Sequence, residues 1–179
     1  MSRRLWPLVV VAGLLASACA TVPSATPNCD ANENTDVLVI EAQSVPSAEH
    51  LPCVGALPVG WSLHEFDATD DYTRFFLDSD RAGFHAVKVE LRPSCDIGRA
   101  TEVPPDTPGI EQFERIDTLE GRYRGTRFYV FEGGCVTYDF DLSGEGRTEL
   151  AHEVSLALDF FPRAELERMA AEANIDIET

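Results

Sequence analysis

The sequence predicts an α+β fold: an antiparallel sheet of about five to seven strands with one or two C-terminal helices packed on one face. Two observations carry it. Between residues 61 and 142 the apolar side chains mostly recur at every second position, the spacing of strands with one buried face. After Gly144 and Gly146 they recur at intervals of three and four, the spacing of a helix. No internal repeat is visible, so residues 36–179 are read as one domain.

Taken in order, residues 1–18 read as a lipoprotein signal peptide. Arg3 and Arg4 supply the positive start, Leu5 to Leu15 the apolar core, and Ala16-Ser17-Ala18 the small residues that a signal peptidase accommodates before its cut. Cys19 then carries the lipid, which places the protein on the extracytoplasmic face of the cell membrane. Ala16 stands where a large apolar residue is usual, so the alternative is an ordinary secretory signal cut near Ala18 or Ala20, with Cys19 incidental. The apolar run is shorter than the ~20 residues a helix needs to cross a bilayer. Residues 19–35 are small, polar and Pro-containing, the composition of a flexible tether.

Within the domain, Val37 to Ala42 is a short apolar run read as a buried strand, and Trp61 to Phe66 is a strand following the Pro58/Gly60 turn signal. Tyr72 to Asp78 and His85 to Arg92 alternate clearly, with His85, Val87, Val89 and Leu91 on one face. Ser79 to Phe84 between them reads as a hairpin loop in which Gly83 is free to take positive φ. Residues 93–111 hold Pro93, Pro104, Pro105, Pro108 and Gly109 and are expected to be a long surface loop without regular structure. Strands resume at Phe113 to Leu119, Gly121 to Phe131 and Cys135 to Leu142, the last with Val136, Tyr138, Phe140 and Leu142 on its apolar face. A first helix is expected to bury Leu150, Ala151, Val154, Ala157, Leu158 and Phe161. A second, with Pro162 in its first turn, is expected to bury Leu166, Met169, Ala170 and Ala173.

Composition excludes some partners. The 179 residues carry a formal charge of −17, and without the first 18 the balance is 12 basic against 31 acidic residues, a charge of −19. Such a chain repels phosphate backbones and anionic headgroups, so nucleic acid is not an expected partner and membrane association falls to the lipid. Cys29, Cys53, Cys95 and Cys135 remain after Cys19, an even number in an exported chain, and read as two disulfides. Three connectivities are open; the preferred one joins Cys95 to Cys135 and Cys29 to Cys53. A cysteine zinc site is disfavoured by the lack of any C-x-x-C pair.

Chemistry is sparse. His64-Glu65 and His152-Glu153 each begin an H-E-x-x-H zinc motif, but the fifth positions are Ala68 and Leu156. No G-x-S-x-G, Walker or G-x-G-x-x-G motif is present, so no catalytic residue, cofactor or metal is assigned. The alternatives kept open are an envelope hydrolase or transferase using Cys135 or His85, and a Ca²⁺ or small-ligand carrier drawing on Asp67, Asp70 and Asp71 or on Asp78 and Asp80. If a binding surface exists, Trp61 and His85 are its candidate side chains, with the 93–111 loop beside Trp61.

The stretches Leu51-Pro-Cys-Val-Gly-Ala-Leu-Pro-Val-Gly-Trp61, Leu77 to Gly83, Ser94-Cys-Asp96, Ala100 to Pro104 and Gly133-Gly-Cys-Val-Thr-Tyr138 resemble a family of uncharacterised actinobacterial membrane proteins and lipoproteins. The resemblance covers about residues 40–170 and implies an envelope location without implying an activity. The expected role is a lipid-anchored binding module of the cell envelope, acting on an envelope protein or polymer.

Overall fold

The computed structural model describes residues 25–33 and 35–173. The segment read as a signal peptide, Cys19 and residues 20–24 of the segment read as a tether lie outside them. Helix α1 (Asp36–Ser44) is followed by β1 (His50–Val54), β2 (Trp61–Ala68), β3 (Thr73–Ser79), β4 (Gly83–Arg92), β5 (Thr101–Val103), β6 (Glu111–Thr118), β7 (Tyr123–Phe131) and β8 (Gly134–Leu142). Helix α2 (Arg147–Ser155), β9 (Leu158–Pro162) and α3 (Arg163–Ala173) complete the chain. The fold is α+β.

Seven strands form one antiparallel sheet in the order β2-β3-β4-β8-β7-β6-β5, and β1 pairs with β9 in a separate two-stranded sheet. Hairpins connect β2 to β4 and β5 to β8 stepwise, while the β4–β5 connection carries the chain from mid-sheet to the far edge. One face of the large sheet is the core. Phe75 and Leu77 of β3, Val87, Val89 and Leu91 of β4, and Val136, Tyr138, Phe140 and Leu142 of β8 are buried there with residues of all three helices and of the β1-β9 ribbon. The opposite face is polar, with Lys88 3.0 Å from Asp139 and Arg124 3.1 Å from Asp141. An antiparallel sheet tolerates one wet face because its backbone groups are already paired across strands.

Several elements differ from the sequence reading. Val37 to Ala42 belongs to helix α1, with Val37, Leu38, Glu41 and Ala42 buried, a pairwise spacing of four that a strand does not give. Four apolar residues in a row, Val37 to Ile40, carry no period of their own, and tertiary packing decides between the two states. The expected helix through Phe161 stops at Ser155, and Leu158 to Pro162 leaves it to pair with β1, Leu51 opposite Phe161. Ala173 is exposed at the end of α3. The 93–111 segment contains β5, which pairs Thr101 with Glu114 of β6.

The segment read as tether meets the domain before Asp36. Asn28 bridges Val54 in parallel, Cys29 N–H donates to Val54 O at 3.2 Å, and Cys29 is bonded to Cys53. The second disulfide joins Cys95 to Cys135, holding the start of the β4–β5 connection to the first residues of β8. At the β7–β8 turn Gly133 takes φ +71°, and a Cβ there would lie 1.7 Å from Ser47 O, so only glycine fits.

Candidate functional site

On the polar face of β2, β3 and β4, two bulges bring together residues that regular strands would keep apart. Between His64 and Phe66 the β2–β3 register shifts, and Glu65 takes φ +50°. Between Gly83 and Val87 the β4 chain opposes β3 with extra residues, and His85 takes φ +50°. Left-handed backbone costs a non-glycine residue roughly 1–2 kcal/mol and persists where surrounding structure imposes it. Glu65 and His85 are the two such residues among those described.

The second bulge moves His85 off the face predicted for it. Ala86 takes the buried position, with no exposed surface, and the His85 ring turns to the polar face. There it stacks between Phe76 (centroids 4.1 Å) and Phe84 (3.9 Å), 5.1 Å from the His64 ring. Phe84 is 66% exposed, so this ring cluster lies at the surface and not in the core. Asp78 links the parts: its Oδ1 accepts the His85 backbone N–H at 2.7 Å, and its Oδ2 is 3.5 Å from His64 Nδ1.

One ligand atom each from His64, Glu65 and His85 lies within 4.8 Å of the others, the one group of three such side chains among the described residues. His64 and Glu65 are exposed and His85 half-buried, and His85 Nε2 is shielded from water without a hydrogen-bond partner. The chain matches no family model, no curated protein and no solved structure. Roles are therefore assigned from geometry alone.

The other sequence candidates fall elsewhere. Trp61 is buried in the core with its indole N–H unpartnered, so it is not a surface anchor. It begins β2 at one edge of the sheet, whereas the 93–111 segment supplies β5 at the opposite edge, so the two are not neighbours. Cys135 is buried and disulfide-bonded, which removes its thiolate. Asp67 lies opposite Arg74 near one end of the β2–β3 pair and Asp78 opposite Ser62 near the other, so the two acidic groups stand apart along the strands.

A cleft of about 510 Å³ opens below the core face, lined among others by Arg127, Tyr129, Tyr138, His152, Asp159 and Phe160. In it Arg127 donates to Glu114 at 3.0 Å and to Ser155 Oγ at 2.7 Å, whereas the buried Tyr138 hydroxyl has no hydrogen-bond partner among the described residues. Burial pushes the Tyr129 hydroxyl up to about 12, against the opposing pull of Arg127, so it stays protonated at neutral pH. The histidine cluster was not legible as a unit, because its members sit on strands separated by β3 and meet only through bulges that no residue pattern announces.

Proposed function

We propose that the chain is an exported lipoprotein, anchored through Cys19 to the extracytoplasmic face of the cell membrane, whose domain binds an envelope protein or polymer. The observation that carries this reading is the pairing of all four cysteines after Cys19. Disulfides persist in oxidising compartments, in keeping with the Arg3-Arg4 pair and the apolar run from Leu5 to Leu15. The resemblance to actinobacterial envelope proteins points the same way. Cys135 is unavailable as a nucleophile while bonded, which favours binding over the hydrolase or transferase alternative.

Mass spectrometry of the exported protein, alkylated before and after reduction, tests the proposal. The expected result is diacylglyceryl on Cys19 and four cysteines that alkylate only after reduction. An unmodified N-terminus beginning near Ala20 would replace the anchor with simple secretion. A free, fast-alkylating Cys135 would return thiol catalysis to consideration.

A further inference from the structure

We infer that His64, Glu65 and His85 form a binding site for a divalent transition-metal ion of the zinc class, with Asp78 as the residue that positions His64. The inference is independent of the lipid anchor and of any envelope partner. Two imidazoles and one carboxylate are the donor set that zinc and its neighbours prefer, whereas calcium and magnesium require mainly oxygen. The three donor atoms already lie within 4.8 Å of one another. Metal–ligand bonds of about 2.0–2.2 Å put tetrahedral donors about 3.4 Å apart, so closure needs only side-chain rotation of the exposed His64 and Glu65.

Independent features support the assignment. A metal-binding imidazole is typically held by a carboxylate on its other nitrogen, and Asp78 Oδ2 stands 3.5 Å from His64 Nδ1, leaving Nε2 for the ion. Asp78 also accepts the His85 main-chain N–H at 2.7 Å, so one carboxylate orders both arms of the site. The Phe76 and Phe84 rings fix the His85 imidazole in one plane and lower the local dielectric. Three protein donors leave a coordination position open, so the bound ion can accept a further ligand such as water or a carboxylate.

The full-length chain with its disulfides intact is titrated with ZnCl₂ by calorimetry and with CoCl₂ by visible absorption, CaCl₂ serving as comparison. The expected result is one equivalent of zinc, competed by cobalt with intense d–d bands of low-coordinate nitrogen ligation. His64→Gln, His85→Gln and Glu65→Gln should each weaken binding by about tenfold or more. His50→Gln and His152→Gln should leave it unchanged. Glu65→Gly is the folding control: glycine accepts the left-handed backbone, so this variant should keep the wild-type melting temperature and still lose affinity. Absence of zinc binding at millimolar concentration, binding insensitive to His64→Gln and His85→Gln, or preference for calcium would overturn the inference.

Discussion

Glu41 is a carboxylic acid with no exposed surface on a helix whose other buried residues are mostly apolar. Neither of its oxygens has a hydrogen-bond partner among the described residues. Burial raises its pKa well above the ordinary 4.5, against the opposing influence of the nearby Thr73 hydroxyl, which makes no hydrogen bond to it. The folded state therefore keeps a proton that the unfolded chain releases above its own pKa. Stability from this group is full below about 4.5 and declines as pH rises from there towards the folded pKa, by about 1.4 kcal/mol per unit. Glu41→Gln keeps the shape and removes the titration, so it should raise the melting temperature at pH 7 and flatten the decline between acid and neutral pH. A lower melting temperature for the variant at pH 7 would point to an ionised Glu41 with a charged partner. The sequence disclosed the burial of this stretch but not the cost of Glu41, because a lone Glu in an apolar run reads equally as an outward-facing residue.

The two strands of the small sheet escaped the sequence reading for a shared reason. Strands β1 and β9 each contain a proline, Pro52 and Pro162, which suppresses the usual strand signal although short edge-type pairs accept it. Residues of β9 also continue the helical spacing of α2, so periodicity alone extends that helix too far. By contrast β3 and β8 alternate over seven residues and β4 does so from Val87 onward, so these strands are legible apart from the bulge at His85. What joins the mis-assigned elements is Arg163 at the β9–α3 junction. Its guanidinium donates to Ala42 O at 2.6 Å, Val45 O at 2.8 Å and Ala48 O at 2.6 Å, satisfying carbonyls at and beyond the end of α1. Arg163→Met retains the aliphatic stem and strands these acceptors in a buried place, so chemical denaturation should show a loss of roughly 3 kcal/mol. A loss below about 0.5 kcal/mol would mean that water reaches the end of α1 and replaces the guanidinium.

At the scale of the whole molecule, the fold class, the polar outer face and the presence of two disulfides were legible from the alternating period, the charged residues between apolar ones and the even cysteine count. The count left three connectivities open, and the structure has the preferred one. The place where histidines meet was not, because it depends on how strands distant in sequence are laid side by side. That same arrangement divides the large sheet into two locally connected meanders, β2 to β4 and β5 to β8, whose only pairing with each other is β4 with β8, Val87 opposite Phe140. Each meander can zip from its hairpins, but the seam between them brings together residues about fifty apart and pays loop-closure entropy before any contact rewards it. Cys95 and Cys135 lie at one end of that seam, 40 residues apart in sequence. Refolding from denaturant with this bond intact should be faster than refolding of the Cys95→Ser/Cys135→Ser variant, with a stability difference of roughly 3–4 kcal/mol. Equal rates would show that the meanders dock late, after the step that limits folding. A bond at the seam thus shortens the longest excursion the sheet has to close, and faster refolding of the oxidised chain would make early oxidation the quicker route to the finished sheet.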